Sequence, residues 1–210
     1  QDENLSAITH EVTVKFDGEG KQTIHSATKD ANFSKIIVSN NSTVESTTNL
    51  SLEEGLDLTS GVLQVNSNYV LDYKTSNPVL NYSSNNFIEG AVKKEIQVGE
   101  SFFFPLGYQQ NGLSFLPVEI SGLQSDNEFT VELHSTEQQV SNVLSSDIET
   151  LSTTEYWEVQ PTNPIAAPDD AYTAKFHWES PTAQTVNINA LAISGYQNNQ
   201  WEMLSSDNTN

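Results

Sequence analysis

From Val12 to Tyr73 apolar and polar positions alternate for a few residues at a time, and each run breaks at Asn, Ser, Thr or Gly before the next begins. Alternation with a period of two is the pattern of a strand with one buried face. Ile8, Val12, Val14 and Phe16 share one face of the first such strand, with Thr9, Glu11, Thr13 and Lys15 on the other. Asp17-Gly18-Glu19-Gly20 supplies a hairpin-type turn into Gln22–Ile24. Further short strands are predicted at Lys35–Ser39, Ser42–Thr47, Leu50–Leu52, Leu56–Leu58, Val62–Val65 and Tyr69–Tyr73, spaced too tightly for helices between them. This ladder predicts a short right-handed parallel β-solenoid, with the edge of a β-sandwich as the alternative arrangement.

The texture changes near Asn77-Pro78. Phe87–Val98 reads as a strand pair around Gly90. Phe102, Phe103 and Phe104 follow, and three adjacent aromatic residues cannot share one side of a strand, so both faces must be covered there. Later segments, Leu113–Leu123, Glu128–Ser135, Glu155–Gln160, Tyr172–Ser180, Thr185–Ser194 and Gln200–Leu204, read as antiparallel sandwich strands, and Gln138 to Leu151 as loop with at most one helical turn. The expected fold is all-β. A solenoid-like region over 1–97 is packed on, or continuous with, an antiparallel β-sandwich over 98–210.

Composition sharpens this picture. Asn, Ser and Thr make up roughly a third of the 210 residues, and their short side chains bond the backbone of turns, which a frequently turning chain needs in number. The 28 acidic residues face 8 lysines and no arginine, a net charge of −20. Such a field repels phosphates and anionic lipid, so neither nucleic-acid binding nor membrane insertion is expected. It keeps the chain soluble in salt and offers diffuse attraction to divalent cations. Cysteine is absent, so the fold depends on its core and not on disulfides. The polar start QDENLSA without Met is what removal of a signal peptide leaves, which points to an extracellular or cell-surface setting.

Three groups of segments resemble a module of secreted and surface-attached proteins of the Bacteroidetes, including large adhesins and gliding-associated proteins. The first comprises VTVKFDGEGKQTI, FSKIIVSNNSTVES and LDLTSGVLQV. The second comprises SNNFIEGAVKKEI, SFFFPLG and LPVEISG, and the third TTEYWEV with LAISGYQNNQW. The resemblance spans residues 12 to 204 and implies export, by a type IX route, and a structural or adhesive role. In that family such modules usually sit within far longer chains ending in a sorting domain, whereas this sequence ends in SSDNTN. Either a sorting tail has been removed, or this is a small subunit that works by assembling.

Chemical motifs are sparse. No P-loop, dinucleotide fingerprint, G-x-S-x-G elbow or H-E-x-x-H occurs. His10, His25, His134 and His177 are scattered along the chain, without a ligand-spaced pair or a carboxylate arrangement around them. No enzymatic activity and no resident cofactor are expected. Asp169 and Asp170, with Glu179 beyond the next strand, are the acidic residues whose oxygens would suit calcium. Tyr156, Trp157, Trp178, Tyr196 and Trp201 could form a platform for a sugar ring, although such residues commonly belong to a core. The reading that unites these features is a self-assembling extracellular subunit of a fibre or surface layer, joined by exchange of the strand bearing Ile8, Val12, Val14 and Phe16 or by end-to-end stacking. The alternative is a carbohydrate-binding adhesin module directed at surface glycans.

Overall fold

A computed structural model describes residues 12–27, 30–110, 112–135, 144–146, 155–163 and 172–177, and the backbone alone of 194–197 and 200–203. The chain divides into two compact units, one comprising Gln1–His134 with Trp157–Trp178 and the other Ser135–Tyr156 with Glu179–Asn210.

The first unit is built on a β-solenoid of about four turns. Its first turn contains β1 (Thr13–Phe16) and β2 (Gln22–Ile24), and both pair in parallel with the long β3 (Asp30–Ser46). Parallel pairing continues from β3 to β4 (Asn49–Val65), and from β4 to β5 (Val70–Tyr73) and β6 (Ile88–Glu89). β5 then pairs in parallel with β7 (Ala91–Ile96). The registers sort into three stacks of aligned residues. Val14, Ile36 and Leu56 form one; Val44, Leu63 and Ile88 the second; Leu50, Leu71 and Val92 the third. Parallel strands place like residues above one another, so apolar positions repeated at this spacing become continuous aliphatic ladders. Ile36, Val38, Leu52, Leu58, Leu63 and Leu71 are completely buried. Each such side chain contributes about 2 kcal/mol through removal from water, so the stack needs no disulfide.

Two sequence expectations are corrected here. The segments separated as short strands fuse into two 17-residue strands, β3 and β4, because pairing continues around the corners with only local shifts of register, as between Ser39 and Thr43. The turns at Asp17–Gly20 and Gly90 are solenoid corners and not hairpins: the strands flanking each of them pair with neighbouring turns, not with each other.

The corners show why Asn and Ser are so abundant. Buried Asn40 donates through Nδ2 to the Gly20 carbonyl (3.3 Å) and to Gln22 Oε1 (3.2 Å), while its Oδ1 accepts from the Ser42 N–H (3.0 Å). Two turns on, Asn86 Oδ1 accepts from the Gly61 N–H (3.0 Å). At another corner Asn49 donates to Asp30 Oδ1 (2.8 Å) and accepts from the Val70 N–H (3.1 Å). Each amide satisfies backbone groups that the bend would otherwise bury without a partner.

Beyond the solenoid the pairing becomes antiparallel. β12 (Asn127–His134) pairs with β7, extending the third ladder from Val92 to Val131, and β13 (Tyr156–Pro161) lies beside β12. The sheet therefore runs unbroken across position 97. A second sheet joins β8 (Phe102–Phe104), β11 (Val118–Ser121) and β14 (Thr173–Phe176), and a small ribbon joins β9 (Gly107–Tyr108) to β10 (Ser114–Phe115). Phe102 and Phe104 face inward, opposite Ile120 and Val118, while Phe103 turns to the other side, so the three phenylalanines do divide between two covered faces. In the second unit β15 (Ser194–Gln197) and β16 (Gln200–Met203) form an antiparallel hairpin. No helix among the described residues is long and apolar enough to cross a membrane.

Candidate functional site

Two regions of the first unit carry features that packing alone does not demand. One is the first solenoid turn. β1 pairs with β3 within the same chain, and Phe16 packs against the core while Val14 is half-buried. Val12, expected on the same buried face, is 42% exposed, and Ile8 lies outside the described residues. The Val12 carbonyl accepts from the Ser34 N–H (3.0 Å), so it points toward β3. Backbone groups alternate sides along a strand, which turns those of Thr13 and Lys15 to the outer edge. Among the described residues, β1 and β2 each pair on one side only. The described part of this turn is also locally neutral: Lys15 and Lys21 match Asp17 and Glu19 within a strongly acidic chain. Ion pairs Lys15–Asp17 (3.2 Å) and Lys21–Glu45 (3.0 Å) hold both lysines in place.

The other region is the outer face of β12 and β13. Alternation along β12 puts Glu128, Thr130, Glu132 and His134 on one face, and along β13 it adds Glu158 and Gln160. His134 Nε2 lies 3.0 Å from Glu158 Oε2 and 3.8 Å from Glu132 Oε2. Gln160 Nε2 donates to the second Glu158 oxygen, which orients that carboxylate. Burial pushes the Glu132 carboxyl above its ordinary range; His134 pulls it down and Glu158 pushes it up, leaving it raised. Glu132 and Glu158 border an open pocket of about 230 Å³, whose wall also includes Asn68, Tyr69, Thr130 and Gln160. Further along the same face Lys93 bridges Asp72 (3.3 Å) and Glu128 (3.2 Å).

This cluster corrects the expectation that no carboxylate arrangement surrounds a histidine. Glu132 and His134 are two apart on a strand, which places them on one face, but Glu158 reaches them only through the pairing of β12 with β13. The E-x-H spacing was the available signal; its third member is invisible to spacing. The acidic residues suggested for calcium, Asp169, Asp170 and Glu179, lie outside the described residues.

The aromatic residues proposed as a sugar platform are placed differently from one another. Trp157 packs inward against Phe176, ring centres 5.0 Å apart, and its Nε1–H donates to the Leu116 carbonyl (2.9 Å), so it serves the core. Tyr156 is half-buried. Trp201 stands opposite Tyr196 in the β15–β16 hairpin, where the backbone alone is described, and Trp178 lies outside the described residues. Sequence reasoning overlooked a different aromatic group. Tyr82 stacks on Phe103 (4.9 Å between ring centres) and lies 6.1 Å from Phe115, with Tyr82 39% exposed.

No protein-family model, curated protein or solved structure matches the chain.

Proposed function

We propose that this protein is an extracellular structural subunit that associates with further copies of itself through the outer edge of its first solenoid turn, building a fibre or surface layer. The observation that carries the reading is that, among the described residues, β1 and β2 pair on one side only, at the end of a parallel stack. An edge of this kind presents unpaired N–H and C=O groups to an incoming strand, and main-chain hydrogen bonds then supply the strength of the joint. The local neutrality of the described turn supports the same surface, because two chains of charge −20 approach best where their charges cancel. A joint between the first turn of one copy and a different surface of the next is heterologous, and heterologous contacts that do not close propagate into filaments. The resemblance of three segments to surface modules supports the extracellular setting. With β1 paired to its own β3, end-to-end addition is favoured over exchange of the N-terminal strand.

Thr13→Pro tests the reading directly. Proline removes the outward N–H of Thr13 and leaves the bonds from β1 to β3 in place, and edge strands tolerate it. Sedimentation velocity of wild type and variant across protein and salt concentrations is expected to show large assemblies for the wild type only, with the same far-UV circular dichroism for both. Assembly that is unchanged in Thr13→Pro would remove the first-turn edge from the mechanism.

A further inference from the structure

We infer that Glu132, His134 and Glu158 form a binding site for a divalent transition-metal ion of the zinc class, with a remaining coordination position open to the adjoining pocket. One donor atom from each of the three residues lies within 4.8 Å of the others. Zinc bonds of about 2.1 Å at tetrahedral angles put neighbouring donors about 3.4 Å apart. The two distances from His134 Nε2, 3.0 and 3.8 Å, bracket that value. Small side-chain rotations would therefore draw the set onto a single ion without moving either strand.

The donor chemistry selects the class of ion. An imidazole nitrogen with two carboxylate oxygens suits zinc and its neighbours, whereas calcium seeks six to eight oxygens and magnesium keeps most of its water. Rigidity favours binding too, since β12 holds Glu132 and His134 and the adjacent β13 holds Glu158, so all three ligands come from paired strands and not from loops. Gln160 braces the Glu158 carboxylate from outside the set, the arrangement by which outer groups orient a metal ligand. The pocket beside the triad, lined by Asn68, Thr130 and Gln160 together with Tyr69, Val70 and Ala91, leaves room for a water molecule on the ion. This inference is independent of the assembly reading: the triad lies on β12 and β13, and no residue of the first turn takes part.

The test is calorimetric titration of ZnCl₂ into the full chain, previously stripped with chelator, in about 150 mM NaCl, where diffuse attraction to the net charge is screened. One zinc per chain is expected, with calcium and magnesium failing to compete at millimolar concentration. His134→Ala and Glu158→Gln should each weaken binding at least about 10-fold, while Asp72→Asn, on the same face outside the set, should leave it unchanged. In the wild type, zinc should also shift the His134 imidazole proton resonances, a readout that does not depend on a variant folding. Absence of zinc binding, zinc binding that survives both substitutions, or a saturating titration without a shift at His134 would each overturn the assignment.

Discussion

Lys94 occupies a position that hydrophobic patterning would give to an apolar residue. It is buried on the inward side of β7, its Nζ donates to the Glu95 carbonyl (2.6 Å), and the same nitrogen sits 5.7 Å from the centre of the Phe102 ring. Burial lowers its pKa below the ordinary 10.5, with Glu100, Glu95 and Asp72 opposing the shift. Below the depressed folded value, native and unfolded chains both carry the proton, and the native state bears the whole cost of a buried charge. Between that value and 10.5 the unfolded chain binds more protons than the native one, so this contribution to stability rises with pH. Lys94→Met should therefore stabilise the fold by about 1 kcal/mol at pH 7, with the advantage shrinking as pH approaches 10.5. Urea unfolding at pH 7 and pH 10 measures both. A variant less stable than wild type at pH 7 would mean that the carbonyl and ring contacts outweigh desolvation. At this scale the sequence is legible for residues whose partners are local. Val14, Phe16 and the ladder leucines follow from alternation, as do the two covered faces at Phe102–Phe104. His134 does not, because its meaning depends on Glu158, 24 positions away on a strand whose pairing is set by tertiary structure.

The elements are held as much by their corners as by their ladders. Gly61 adopts φ +99°, and a Cβ there would stand 2.3 Å from the Ser42 carbonyl oxygen and 2.7 Å from Asn40 Oδ1. Gly99 has a similar φ of +82°, but an added Cβ would meet nothing within 4 Å. Gly99→Ala thus bears only backbone strain, about 1 to 2 kcal/mol. Gly61→Ala adds a clash that displaces the Asn40 amide from its bonds, and should cost at least about 2 kcal/mol more. Equal losses for the two alanines in chemical denaturation would show that the corner amides are not under steric constraint. The corners are also where prediction of strand boundaries goes astray. Gly, Asn and Ser are read locally as turns that end a strand, and Asp-Gly as a hairpin. In a solenoid the neighbouring turn accepts the bending backbone, so β3 and β4 continue through Asn40–Ser42 and Ser60–Gly61. Which strand pairs with which is a property of the stack and has no local signature.

At the scale of the whole molecule, the dominant quantity is the charge of −20, with only 8 lysines set against 28 acids. Four of those lysines, Lys15, Lys21, Lys74 and Lys93, are held in ion pairs in the first unit, leaving the molecule strongly repulsive toward copies of itself. Repulsion between exposed charges reaches about 30 Å in 10 mM salt and about 8 Å at physiological ionic strength. Association through the first turn should therefore be suppressed at low salt and released as salt rises. Hydrophobic ladders and turn-rich composition make the all-β solenoid legible in the sequence. Which backbone edge the described residues leave paired on one side only is not legible there, since it is a property of the stack. The most direct measurement is negative-stain electron microscopy of the full chain at one protein concentration, in about 10 mM and about 500 mM NaCl, ionic strengths on either side of effective screening. The account predicts dispersed particles at low salt and uniform filaments at high salt. Monomers or closed dimers at both would contradict it.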